Sequence, residues 1–266
     1  MNVRISKFIE KEGLKLHYTI SGEGKPIILL NPAFLDSRIW DLLVEDLSTH
    51  YQVIQLDFRF SGKTDQDDSD YRMYEDLHIL VEEMGFEKVN LLGLSAGGHT
   101  ALEFAIQYPD KVDKLFLIST GLFGVQEDER KVHRMEMFQK ALYSGDIKKA
   151  SEVWTKMWLI GENRSLEKIS KDKIDLFMSI TEHNLMKSVN FKMPKFVDPP
   201  VNAQLSKVEN EVYHMIGNQD YRDVFESSKV FRENIKNYQE DTVEAAHIIP
   251  LELSEYLIEK IKSFVE

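Results

Sequence analysis

The segment Gly93-Leu94-Ser95-Ala96-Gly97 constrains this chain more than any other, because of what flanks it. Phe86 to Leu92 is an apolar run that reads as a short buried strand, and Gly98 to Tyr108 is apolar at helical spacing until Pro109 stops it. A strand that passes straight into a helix leaves its turning residue no relaxed backbone angles. Ser95 is therefore expected in strained φ/ψ, with its hydroxyl standing above the sheet. Side chains two residues to either side would collide, which accounts for glycine at 93 and 97. Short Gly/Ser patterns arise by chance; the strand before and the helix after make this one a nucleophile elbow.

A serine hydroxyl is a poor nucleophile at neutral pH and needs a base, which in turn needs an orienting acid. With a serine at such an elbow, the acid and then the histidine follow in chain order. Glu211 to Ile216 reads as a strand running into Gly217 to Asp220, which places Asp220 in a loop at a strand's C-terminal end. Asp241 to Ala246 reads as a further strand with His247 behind it. Asp220 is the candidate acid, with Asp223 and Asp198 as competitors, and His247 is the candidate base. His17, His50, His78, His133, His183 and His214 read as surface or packing residues. His99 lies one helical turn beyond Ser95 and is expected to point away from its hydroxyl. Asp57 also ends a strand, but it precedes the serine and reads as structural.

These residues together resemble the α/β-hydrolase superfamily, over nearly the whole chain. Ile27 to Trp40, with Asn31-Pro32-Ala33-Phe34 inside it, resembles the family's strand followed by His-Gly. Asp57 to Thr64 resembles its Asp-x-Arg-Gly-x-Gly-x-Ser turn, and His247 to Glu252 resembles the stretch carrying its histidine. The middle of the chain, through Gly145–Ala150 and Met157–Arg164, resembles the cap of small-lactone hydrolases and bromoperoxidase-type members. The resemblance implies an oxyanion hole made by two backbone N–H groups, those of Ala33 and Ala96.

Two positions depart from the family pattern. Asn31-Pro32 stands where His-Gly is usual; proline has no N–H, so the donor falls to Ala33. Phe60 stands where the Asp57 turn usually has glycine, which leaves the conformation of that turn to be found. Gly62-Lys63-Thr64 ends like a phosphate-binding loop, but that motif needs glycine where this chain has Asp57. Neither G-x-G-x-x-G nor H-E-x-x-H is present, so no cofactor and no catalytic metal is implied.

Apolar strands alternate with helical stretches along most of the chain: Val3–Ile9 and Leu14–Ser21 as a hairpin turning at Lys11–Gly13, then Pro26–Leu30, Tyr51–Leu56, Val89–Leu92 and Lys114–Ser119, with helices at Arg38–Ser48, Tyr71–Met84 and Ser95–Tyr108. A last amphipathic helix spans Ser254–Val265. This alternation predicts an α/β fold with a mostly parallel, doubly wound sheet. From Leu122 to Leu205 the pattern is helical and richly charged, with no strand candidate. Residues 1–121 and 206–266 are therefore expected to form the α/β core, and 122–205 an inserted helical cap. Trp154 and Trp158 share one helical face beside Met157, either packing the cap onto the core or roofing an apolar pocket that would include Phe34. At 266 residues and 42% hydrophobic content, one domain with an insertion is a natural size.

Thirty-three basic against 45 acidic residues, a formal charge of −12, oppose binding to nucleic acid or anionic membranes. No run approaches the ~18 apolar residues of a membrane span. The N-terminus lacks an apolar signal core, and with no cysteine the chain has no thiol chemistry; a cytoplasmic protein, monomer or homodimer, is expected. The expected function is hydrolysis of a small carboxylic ester or lactone through an acyl-enzyme. Thioester hydrolysis, perhydrolysis and C–C cleavage use the same machinery, and the residues do not separate them. The family resemblance assigns haloalkane and epoxide chemistry to an aspartate at the elbow, which this chain lacks. A small-molecule receptor on the same fold is the alternative from another class.

Overall fold

A computed structural model describes residues 3–11, 13–66, 69–188 and 192–266. Among them eight strands form one sheet in the order β1-β2-β4-β3-β5-β6-β7-β8: β1 Ile5–Lys11, β2 Leu14–Ser21, β3 Lys25–Leu30, β4 Tyr51–Leu56, β5 Val89–Leu94, β6 Val112–Ile118, β7 Glu211–Gly217 and β8 Tyr238–Val243. The β1–β2 and β2–β4 pairs are antiparallel and all the others are parallel. Helices α1 (Asp41–Leu47), α2 (Met73–Glu83) and α3 (Ala96–Gln107) follow β3, β4 and β5; α7 (Arg222–Asn234), α8 (Ile249–Glu252) and α9 (Ser254–Val265) belong to the C-terminal part. The central strands are buried on both faces, which is why they read as continuous apolar runs. Two apolar clusters result, one on each side of the sheet. Leu29, Trp40, Phe116 and Ile261 belong to one, and Ile28, Leu56, Phe104 and Phe231 to the other.

The expected α/β architecture is thus the observed one, with the limits of several elements shifted: β1 runs Ile5–Lys11 rather than Val3–Ile9, and β6 Val112–Ile118 rather than Lys114–Ser119. The stretch Arg38–Ser48 opens as a 3₁₀ turn, Ser37–Trp40, before α1 begins. The last strand lies three residues earlier than the Asp241–Ala246 expected from sequence. Its pairing with β7 runs from Val212 opposite Tyr238 to Gly217 opposite Val243, so β7 sets its limits. As an edge strand whose residues Tyr238 to Asp241 are half-buried or exposed, β8 has no apolar run to betray it. Glu12, expected in the hairpin turn, lies outside the described residues.

Between β6 and β7 the described residues contain no strand. They hold α4 (Glu129–Tyr143), α5 (Ile147–Thr155) continuing into a π-helical turn at Lys156–Ile160, and α6 (Lys171–Lys187), with short 3₁₀ turns at Leu166–Lys168, Val201–Ala203 and Leu205–Lys207. The helix α6 is tied to the core through Asn184: its side chain accepts from Gly62 N and donates to the Asp36 carboxylate, each at 2.8 Å. No helix of the described residues is long and apolar enough to cross a membrane.

Glycine is required where β3, β5 and α3 converge. A Cβ on Gly97 would lie 2.1 Å from the Leu30 carbonyl oxygen, and one on Gly93 2.5 Å from the Gly97 carbonyl oxygen. Both contacts are with backbone and cannot be relieved by turning a side chain. Gly97→Ala is expected to cost ~3 kcal/mol or more and to lower Tm by roughly 6–12 °C. Differential scanning calorimetry that finds the Gly97→Ala protein within ~2 °C of wild type would contradict this packing.

Candidate active site

Ser95 adopts φ 54° and ψ −115°, a region that non-glycine residues enter only under constraint. Three backbone contacts hold it. Its N–H donates to the Ile118 carbonyl on β6 at 2.9 Å, its carbonyl accepts from His99 N at 3.0 Å, and the glycines on either side admit no side chain. Its side chain is half-buried at the N-terminal end of α3.

Asp220 follows β7 in a loop pinned by Asn218 N to the Val243 carbonyl, Gln219 N to the Ala245 carbonyl and Asp220 N to the Gly217 carbonyl. A Cβ on Gly217 would stand 2.3 Å from the Ala246 carbonyl oxygen, so glycine there lets this loop touch the one carrying His247. The result is a tight pair: His247 Nδ1 lies 2.9 Å from both Asp220 oxygens, and Tyr221 N donates to one of them at 2.9 Å. His247 is 5% exposed and Asp220 8%. The competing carboxylates are engaged or placed elsewhere: Asp223 pairs with Lys131 at 2.5 Å, and Asp198 precedes the cis-Pro199. Glu252 braces the His247 loop, accepting from Ala246 N at 2.7 Å while paired with Arg164 at 2.5 Å.

The Asn31-Pro32 departure has a clear structural role. The Asn31 side chain donates to the Leu56 carbonyl at 2.6 Å and accepts from the Trp40 indole at 2.8 Å, both buried. Pro32 begins a tight turn closed by Leu35 N onto its carbonyl at 3.4 Å, with Phe34 left-handed at φ 58°. Phe60, in the Asp57 turn, is also left-handed at φ 64°, so phenylalanine takes up the conformation that glycine would adopt more cheaply.

A cavity of about 220 Å³ opens beside this turn. Ala33, Phe34, Phe58, Phe60, Ala96 and His99 line it, together with Met73, Phe123, Met193 and Phe196. Ala33 and Ala96, the two expected oxyanion donors, thus share one cavity, and their N–H groups donate no hydrogen bond among the described residues. Ser95, Asp220 and His247 do not line it. Trp154 and Trp158 do not line it either; both are buried in an aromatic series that runs from Phe34 to His247. Its ring-centre spacings are 5.1 Å for Phe34–Trp154, 5.5 Å for Trp154–Trp158 and 4.4 Å for Trp158–His247. His99, expected to point away from the Ser95 hydroxyl, forms part of the cavity wall between Phe123 and Phe196. Burial lowers it to about 4, against a hydrogen bond with the Gly121 backbone, so it is neutral at neutral pH. Position one turn past the elbow was the only sequence sign of it.

The family model described as "alpha/beta hydrolase fold" matches residues 26–167, more than half of the chain. The chain belongs to the α/β-hydrolase fold family. It is similar to 2-hydroxy-6-oxo-6-(2'-aminophenyl)hexa-2,4-dienoic acid hydrolase of Metapseudomonas resinovorans, at 31% identity over 48% of this chain and 47% of that protein. It is similar to human epoxide hydrolase 4 at 33% identity over 42% of this chain and 33% of that one. This α/β-hydrolase chain spans about half or less of the length of these curated relatives. Among solved structures, the bromoperoxidase of Bacillus anthracis superposes with TM-score 0.79 at 21% identity over 99% of both chains. The esterase EaEST of Exiguobacterium antarcticum gives TM-score 0.79 at 20% identity over 98% and 99%. At these identities the structural likeness speaks for the fold alone.

Further along α3, outside the cavity lining, one buried carboxyl is raised toward neutrality. Glu103, one turn beyond His99 on α3, is 2% exposed and accepts from Val197 N at 2.7 Å, beside Phe196. Burial pushes its carboxyl up to about 7, with the Val197 bond and Arg72 opposing. The folded protein therefore keeps a proton that the unfolded chain releases in the ordinary carboxylate range, and stability is lost as pH rises through about 7. Thermal unfolding at about pH 5 and about pH 8 should show a smaller decline for Glu103→Gln, which keeps the acceptor for Val197. Equal declines would remove Glu103 as the cause.

Proposed function

We propose that this chain is a serine hydrolase that cleaves a small carboxylic ester or lactone through an acyl-enzyme, with Ser95 as nucleophile, His247 as base and Asp220 as orienting acid. The observations that support the reading are the His247–Asp220 pair and the strained serine between β5 and α3. A carboxylate acceptor on Nδ1 selects the tautomer whose Nε2 has a free lone pair, the state a general base needs. In this mechanism Ser95 gives its proton to Nε2 as Oγ attacks the carbonyl carbon. The N–H groups of Ala96 and Ala33 receive the developing oxyanion, and His247 then protonates the leaving alkoxide. Water repeats the cycle to release the acid.

The apolar cavity beside Ala33 and Ala96 favours a substrate with a compact hydrophobic group. In this reading, residues 122–205 are the cap, contributing Phe123, Ser188, Met193, Pro194 and Phe196 to the cavity wall. The similar proteins include an esterase, an enol-lactonase, an epoxide hydrolase and a 2-hydroxy-6-oxo-dienoic acid hydrolase. A serine rather than a carboxylate at the elbow favours the acyl-transfer side of that range.

A panel of p-nitrophenyl esters, lactones and thioesters tests the reading. Ser95→Ala should lose roughly 10⁴-fold or more in kcat while keeping its Tm, and Asp220→Asn roughly 10³–10⁴-fold by favouring the wrong tautomer. A folded Ser95→Ala protein retaining a tenth of the activity would refute the nucleophile, and damage from Asp223→Asn instead of Asp220→Asn would reassign the acid. Ligand-induced stabilisation without turnover of any substrate would point to a receptor.

Ala33 occupies the second position of the Pro32–Leu35 turn, where proline is well tolerated. Ala33→Pro should therefore keep the turn and delete the N–H. We expect kcat to fall roughly 10²–10³-fold with KM changed far less. Unaltered kcat in a folded Ala33→Pro protein would rule that donor out.

A further inference from the structure

A second Ser–His–Asp chain lies at the β1–β2 hairpin, and the function proposed above makes no use of it. Ser6 Oγ is 2.8 Å from His17 Nε2, and His17 Nδ1 is 2.7 Å from Asp57 Oδ2. The three residues come from β1, from β2 and from the turn that ends β4, so no local sequence pattern joins them. The hairpin register puts Ser6 opposite Thr19 and Phe8 opposite His17, which sets the serine diagonally across from the imidazole on one face of the sheet.

The polarity of the chain is set by its buried end. Asp57 is 1% exposed and also accepts from Ser37 N at 2.8 Å and Lys63 N at 3.0 Å. Burial alone would raise its carboxyl, but the bonds from His17, Lys63 and Ser37 outweigh this and hold it below the ordinary carboxylate value. An ionised Asp57 can only accept, so Nδ1 of His17 carries the hydrogen. In the neutral ring Nε2 is then an acceptor, and the Ser6 hydroxyl must be the donor. The imidazole is 2% exposed, with the Phe8 ring 5.1 Å away, whereas Ser6 is exposed on the edge strand of the sheet. A rigid acid and base end inside and a reachable hydroxyl outside is the arrangement nucleophilic serines use. Arg4, just before β1, donates to Thr19 Oγ1 at 3.3 Å and pairs with Asp41 at 2.7 Å.

We propose that Ser6 is a second nucleophilic serine of this chain, activated by His17 and Asp57 and open to activated acyl esters from solvent. In the step proposed, the Ser6 Oγ–acyl bond forms as its proton passes to His17 Nε2, the bond from acyl carbon to leaving oxygen breaks, and His17 returns the proton to the departing oxyanion. Acylation of Ser6 is the product, independent of whatever Ser95 does.

The test is acetylation by p-nitrophenyl acetate in a Ser95→Ala background, followed by peptide mass spectrometry. We expect the acetyl group on Ser6 at a rate at least ~10-fold above that of Ser165 and Ser170, exposed serines with no imidazole partner among the described residues. Ser95→Ala/Ser6→Ala should lose the stoichiometric p-nitrophenol release, with Tm measured alongside because the change removes the hydroxyl partner of the buried His17 Nε2. His17→Gln, checked for folding, should bring Ser6 down to the rate of the control serines. Acetylation of Ser6 no faster than Ser165 and Ser170 overturns the proposal and leaves the chain as a polar brace of the hairpin. The Ser6-to-control ratio decides the matter even if His17→Gln does not fold.

Discussion

Everything around the candidate site depends on one backbone contact, the approach of Gly97 to the end of β3. Because α3 starts within van der Waals reach of the Leu30 and Asn31 carbonyls, the chain leaving β3 and the chain leaving β5 are forced side by side. Ala33 and Ala96 then line the same cavity although 63 positions separate them. The same contact obliges Ser95 to take its left-handed conformation, a strain of order 1–3 kcal/mol. Such strain persists only where the surroundings over-determine it. Here β5 is paired on both sides, by β3 and β6, and fully buried along its length.

The buried histidines show how environment, not residue type, allots roles. His214 is fully buried with its ring bonded to Thr120 N and Tyr238 OH, and desolvation lowers it to about 3. His99 has no carboxylate partner either, and burial lowers it to about 4. Both are fixed in the neutral form and act as packing or cavity wall. His17 and His247 instead face a buried carboxylate through Nδ1, which orients the ring. Eight histidines in a sequence cannot be sorted this way before their neighbours are known.

Asp57 illustrates how a structural carboxylate can acquire chemistry. Three donors converge on it and organise the turn in which Phe60 replaces the usual glycine. One of those donors is a histidine whose other nitrogen reaches an exposed hydroxyl. A residue that holds a turn can in this way also polarise a serine on the neighbouring hairpin.

The sequence by itself determined the order of elements and the elbow, because both are written in local patterns. Double-sided burial turns the strands into apolar runs, and a tight strand-to-helix turn demands Gly93 and Gly97. Tyr51–Leu56, Leu14–Ser21 and Ser254–Val265 appear in the structure with the limits their pattern gave. Asp220 and His247 were legible as candidates from chain order and from their position after strands. Asp220 was preferred to Asp223 from its place after β7; that one carboxylate meets His247 and the other Lys131 is set by the tertiary fold. The solvated edge strand β8, the cavity wall at His99 and the burial of Trp154 and Trp158 away from that cavity were likewise decided by tertiary structure. So was the Ser6–His17–Asp57 chain. Each depends on cross-strand register or on packing between distant segments, and neither leaves a periodic trace in a linear sequence.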